Sequence, residues 1–156
     1  MNSKIPFLFL LSLFSLHINA QSAIGFQAPE INLKSPDGTE ISLSSLKGKV
    51  VIIDFWASWC MPCRTANKTL TKLYEKYKSK GLEIYSISLD KNKNAWNRAI
   101  KNDKMVWLNV LDEGMITATN WRIGYIPFTF ILNQIGKIVA ADVAATDIEK
   151  VIQKLL

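Results

Sequence analysis

The seven residues Val50-Val51-Ile52-Ile53-Asp54-Phe55-Trp56 constrain this chain more than any other feature. Apolar, mostly β-branched or aromatic side chains at nearly every position leave no face for water, so the run reads as a central parallel strand covered on both sides. A strand of that kind belongs to an α/β domain built in layers. Directly downstream, Cys60-Met61-Pro62-Cys63 opens a segment in which Leu70, Leu73 and Tyr77 recur at helical spacing and Gly81 stops the helix. The buried strand hands over to a long helix through a turn that carries both cysteines of the chain.

The flanking segments extend the pattern. Ile31/Leu33 and Ile41/Leu43 alternate on either side of Pro36-Asp37-Gly38, which predicts a β-hairpin, and Ser44 to Gly48 predicts one helical turn closed by glycine. Ile84 to Leu89 predicts a second strand, Trp96, Ala99 and Ile100 an amphipathic helix, and Val106 to Leu111 a further short strand. The stretch through Asn120 carries no assignable pattern. Phe128–Leu132 and Lys137–Ala141 flank Asn133-Gln134-Ile135-Gly136 as an antiparallel hairpin. Thr146 and Glu149 predict a capping box for a final helix with Ile148, Val151, Ile152 and Leu155 on its apolar face. The expected architecture is a three-layer α/β domain with a mixed sheet.

Lys4, the apolar run Ile5 to Ile18 and the small residue Ala20 have the layout of a secretory signal peptide. The run is shorter than the roughly 20 residues of a membrane-spanning helix. The expectation is export to the periplasm or outside the cell, with residues 1–20 removed and 21–156 forming one domain without stable membrane insertion; a retained N-terminal anchor is the rival. Removal of Lys4 leaves 18 Lys+Arg of the 19 against 13 Asp+Glu. These charges are interspersed rather than clustered, so no nucleic-acid partner is expected. The one histidine, His17, lies in the leader, which takes Ser-His-Asp and Cys-His catalysis and imidazole metal ligation away from the domain.

Two cysteines three positions apart cannot staple distant loops, and closing two intervening residues stabilises a fold very little. A structural zinc site needs about four ligands and finds two. Thiol–disulfide chemistry fits the spacing. Cys60 at a helix N-terminus meets unpaired N–H groups and the positive end of the helix dipole, which favour the thiolate and make it the expected nucleophile. Cys63, one turn inward, is the expected resolving thiol, attacking the mixed disulfide that Cys60 forms. Asp54 is a carboxyl group in a doubly covered strand, where burial raises its pKa; it is the expected acceptor of the Cys63 proton, the alternative being a carboxylate satisfied by a backbone donor or a lysine. Ile126-Pro127 opens a strand, a place where proline is tolerated.

On these residues the chain resembles the thioredoxin superfamily and, within it, the exported TlpA/ResA-like thiol–disulfide oxidoreductases. The resemblance spans nearly all of residues 21–156: Ala28-Pro29 and the hairpin with Leu43 to Gly48, the block Asp54 to Cys63, Ile126-Pro127, and Asn133 to Lys137. It implies a thioredoxin-like fold with an added N-terminal hairpin, a redox-active disulfide between Cys60 and Cys63, a buried acid at Asp54, and a cis-proline at Pro127 facing the thiols. Trp59, Met61, Pro62, Ile126 and Pro127 are then expected to contact a disulfide-bearing protein substrate docked by backbone pairing. No cofactor or metal is implied, only a membrane or periplasmic thiol donor that feeds a reductant.

The chain departs from the family where Ala66 and Lys68 replace a common glutamate and proline. It departs again at Phe128, where threonine is common and a bulkier groove is expected, and at Asp90-Lys91, where no clean equivalent of a specificity-giving glutamate stands. A peroxiredoxin-like peroxidase shares the N-terminal hairpin but not its threonine-containing cysteine motif. A non-turnover binding module, or a copper carrier with Met61 as a third soft ligand, is the alternative of a different class.

Overall fold

A computed structural model describes residues 23–156, so the expected leader lies outside the described residues. One mixed sheet of seven strands organises them: β1 (Asn32–Lys34), β2 (Glu40–Ser42), β3 (Val50–Trp56), β4 (Leu82–Ser88), β5 (Leu108–Leu111), β6 (Phe128–Leu132) and β7 (Ile138–Ala141), in spatial order β2-β1-β5-β4-β3-β6-β7. The helices are α1 (Met61–Tyr77), α2 (Lys93–Asn102), α3 (Ile116–Asn120) and α4 (Ile148–Ile152). Among the described residues no helix is long and apolar enough to cross a membrane.

β3 has every residue buried and is paired along its whole length to β4, in parallel, and over Val51–Phe55 to β6, antiparallel. The expected strand is therefore present with its bounds, although only one of its two partners is parallel. Because side chains alternate across a strand, the even positions of β3 form one face and the odd positions the other. Val50, Ile52 and Trp56 join a core with Leu70, Leu73 and Tyr77 of α1, Trp96 and Ala99 of α2, and Ile148 and Ile152 of α4. Val51, Ile53 and Phe55 face a second core that contains Trp121, Phe128, Phe130, Leu43 and Leu46, closed by α3 and the turn before β3. Helices on both faces of the sheet make the three expected layers.

Other elements fall where periodicity placed them, with three differences. The N-terminal hairpin pairs Leu33 with Ile41 and then docks antiparallel on β5 through Lys34 and Leu111, a long-range choice that local pattern does not carry. The unassigned stretch contains α3, in whose first turn the N–H groups of Thr117 and Ala118 are taken by the Asp112 carboxylate at 3.1 and 2.8 Å. The capping box at Thr146 and Glu149 is absent: Asp147 is the N-cap and makes no side-chain cap bond. Glu149 instead accepts from Lys76 Nζ at 2.7 Å and from Tyr77 Oη at 2.8 Å, tying α4 to the end of α1.

The second core turns on Phe130, whose ring lies 5.0 Å from both Trp121 and Phe128, the Trp121 contact edge-on. Replacing Phe130 with alanine should lower stability by about 3–5 kcal/mol, whereas Phe26→Ala, at a ring 68% exposed, should change it by under about 0.5 kcal/mol. Urea denaturation midpoints check both; similar effects for the two would contradict this placement of the core.

Candidate active site

The end of β3 runs into a turn, Ala57 to Cys60, closed by the Cys60 N–H on the Ala57 carbonyl at 3.1 Å. Cys60 is the N-cap of α1, with extended backbone (φ −84°, ψ 101°). It forms a disulfide with Cys63, Cα to Cα 5.3 Å. The Cys63 N–H points back at Cys60 Sγ at 3.3 Å, so an unsatisfied helix-start donor is aimed at the outer sulfur. Pro62 sits in the first helical turn, where its missing N–H removes no helix bond. Both cysteines are buried, Cys63 more deeply. Their flanks are not: Trp59 is 67% and Met61 72% exposed, and Pro62 is exposed between the cysteines.

Asp54 lies on the α1 face of β3, the face that carries Cys63, and is 2% exposed. The satisfying groups of the alternative reading, a backbone N–H or a lysine, do not appear among the described residues. Among the described residues its one donor is the Ser86 hydroxyl, directly opposite on β4, at 3.2 Å. The Ser86 oxygen in turn accepts from the Trp107 indole N–H at 2.8 Å, so its own proton is free to point at the carboxyl group. Burial raises the Asp54 pKa to about 7 against the modest lowering by Ser86. The carboxyl group also lines a cavity of about 140 Å³ shared with Ala66, Leu70, Pro127 and Thr129.

The Ile126–Pro127 peptide bond is cis, and both residues are partly exposed. Pro127 and Asp54 meet at the cavity, and Ile126 packs against the core that contains the two cysteines. Phe128 does not widen or grease this region. It is buried, and its ring packs on Phe130 and Tyr125 on the opposite face of the sheet, which corrects the expectation of a bulkier groove.

Sequence reasoning gave no turn-holding role to four residues, Ser58, Arg64, Asp90 and Asp103. Asp90, just past β4, accepts from the Ser58 backbone and hydroxyl, and Arg64, next to Cys63, reaches the Ser58 carbonyl while pairing with Asp103. The one signal for them was Asp90 itself, an acid at the end of a strand adjacent to the one that leads into the cysteines.

Comparison with known proteins gives one answer. A model of the AhpC/TSA family matches residues 24–141. The chain is 33% identical over 116 residues to the thiol-disulfide oxidoreductase ResA of Bacillus cereus (strain ZK / E33L), covering 74% of this chain and 67% of that protein. It is 33% identical over 115 residues to the ResA of Bacillus subtilis (strain 168), covering 74% and 64%. The thioredoxin domain of a thiol-disulfide oxidoreductase from Bacteroides vulgatus superposes with a TM-score of 0.79 at 33% identity, covering 85% of this chain and 96% of that one. A thiol:disulfide interchange protein from Bacteroides sp. does so with 0.78 at 33% identity, covering 85% and 89%.

The Asp54 carboxyl group links the site to stability. Its folded pKa lies above the ordinary 3.8, so its ionisation opposes folding: the cost is absent below about pH 4, grows through about 7 and is complete above that. In the oxidised protein, where the sulfurs do not titrate, Asp54→Asn should be as stable as the parent near pH 4. At pH 9 it should be more stable by on the order of 4 kcal/mol. Urea titrations at the two pH values test this; an equal difference at both would rule out a buried, titrating Asp54.

Proposed function

The chain belongs to the AhpC/TSA family and is a thioredoxin-like thiol–disulfide oxidoreductase, and from that premise we propose that it is exported and reduces disulfides in protein partners through Cys60 and Cys63. The observation that carries this reading is the pair itself: two sulfurs at a helix start, the outer one under the Cys63 N–H, on the sheet face that also carries an aspartic acid whose pKa lies near neutrality.

In the reduced protein the Cys60 thiolate attacks one sulfur of a partner disulfide. The partner bond breaks, a mixed disulfide forms on Cys60, and the displaced partner sulfur takes up a proton from solvent. Cys63 then gives its proton to Asp54 and attacks Cys60 Sγ. The mixed disulfide breaks, the partner leaves with its second sulfur reduced, and the Cys60–Cys63 bond forms. Two electrons have passed to the partner, and a membrane or periplasmic thiol donor returns them. Exposed Trp59, Met61 and Pro62, together with the partly exposed Ile126 and Pro127, are the side chains offered to an extended client segment that reaches the sulfurs. The leader Lys4 to Ala20 supports export; mass spectrometry of the mature protein should find Gln21 at its N-terminus, and a full-length cytoplasmic protein would exclude export.

Insulin reduction with dithiothreitol as donor should be catalysed by the parent and fall at least about a hundredfold in Cys60→Ser. Cys63→Ser should accumulate covalent partner adducts that reductant releases. Equilibration with glutathione should give a potential near about −270 mV rather than about −120 mV, the range of a strong oxidant. A potential above about −200 mV would overturn the reductant direction, and an inert Cys60 would overturn the catalytic reading altogether.

A further inference from the structure

The turn that presents Cys60 is gripped by two side chains of opposite charge. Backbone groups at the centre of a tight turn have no ladder partner. Here Ser58 holds them: its N–H donates to Asp90 Oδ2 at 2.8 Å, its hydroxyl to Asp90 Oδ1 at 2.7 Å, and its carbonyl accepts from Arg64 Nη1 at 3.2 Å. Neither gripping residue is loose. Asp90 is 4% exposed and also accepts from the Ser88 hydroxyl at 2.8 Å. Arg64 donates through Nε and Nη2 to both oxygens of Asp103, at the end of α2, and Asp103 is steadied by Asn67 Nδ2 at 2.8 Å.

The two common turn types differ by inversion of the central peptide. Inverting Ser58–Trp59 would pull its carbonyl off Arg64 and turn the Trp59 N–H toward a guanidinium, donor against donor. The guanidinium therefore selects one orientation of that peptide, and Asp90 fixes the Ser58 backbone and rotamer in front of it. Resting on the thiol–disulfide reading above, we propose that Asp90 and Arg64 are positioning residues that set the reactivity of Cys60 by holding the Ser58–Trp59 peptide plane. Cys60 Sγ is thereby kept in line with the Cys63 N–H, and Trp59 is kept facing solvent.

Charge and position predict opposite signs. Deleting the Asp90 carboxylate removes a negative charge beside the turn that carries the sulfur, which by itself favours the thiolate and speeds its reactions. Loss of positioning slows them. The rate of Cys60 alkylation by iodoacetamide at pH 7, in a Cys63→Ala background so that one sulfur is read, separates the two. Asp90→Ala should slow it about tenfold and Arg64→Met about three- to fivefold. Asp90→Asn, which keeps the shape and an acceptor for the Ser58 N–H, should stay within about twofold of the parent. Acceleration in both Asp90 variants, or a parental rate in Asp90→Ala, overturns the proposal. If Asp90→Ala fails to fold, Ser58→Ala decides, because it deletes one hydroxyl bond alone: slowing of about two- to threefold supports positioning, and a parental rate overturns it. The assay contains no client, so failure of the parent to reduce insulin would count against the proposed function without touching this result.

Discussion

A carboxyl group is buried in a strand that has no access to water on either face, and the rest of the molecule is arranged around that constraint. β3 is laddered on both sides, and its register places Asp54 opposite Ser86 on β4 and Thr129 on β6. A slip of one residue would turn Asp54 into the face occupied by Phe55, Trp121 and Phe130, away from its single donor, at a cost of several kcal/mol. The aromatic packing of one face and the polar pocket of the other thus enforce the same register. That register decides where the strand ends and where Cys60 begins.

The helix after β3 inherits the rigidity of the strand. α1 buries Cys63, Asn67, Leu70, Leu73 and Tyr77, a stripe at helical spacing that seats the helix on the sheet from its first turn. Each fully buried apolar side chain of this kind contributes about 1.5–3 kcal/mol. The helix start, with its unsatisfied donors, is therefore held still against the end of β3. The short turn between them is bonded to Asp90, just past β4, and to Arg64 of α1, which is itself paired with Asp103 at the end of α2. Pre-organisation of the outer sulfur is a property of four elements rather than of the Cys60–Cys63 motif alone.

The parts legible in the sequence are those whose signal is local. Val50–Trp56, the α1 stripe and both hairpins come from periodicity within a dozen residues, and Asp54, Cys60 and Cys63 fall within a single block. The features that escaped depend on distant partners. Glu149 sits in a plausible capping pattern, yet its carboxylate goes to Lys76 and Tyr77, more than 70 residues away in the chain, because two charge-assisted bonds between helices outweigh one local cap. Asp90 looks like an ordinary residue after a strand, and its partner Ser58 is 32 residues earlier. Phe128 could be placed beside the proline but not on a face, since the strand's alternation sends its ring to the far side.

Two aspartic acids lie close to the same turn, and their hydrogen bonding separates their work. Asp90 receives the Ser58 N–H and the hydroxyls of Ser58 and Ser88, so its oxygens are committed to holding backbone in place. Asp54 has one hydroxyl donor, at the longer distance of 3.2 Å, and lines a cavity, so protonation disturbs little around it. Its pKa near 7 is the consequence of that sparse solvation, since burial outweighs the lone stabilising bond. The acid that is poorly served by its surroundings is the one proposed to take the Cys63 proton, and the acid that is well served is the one proposed to hold the turn still.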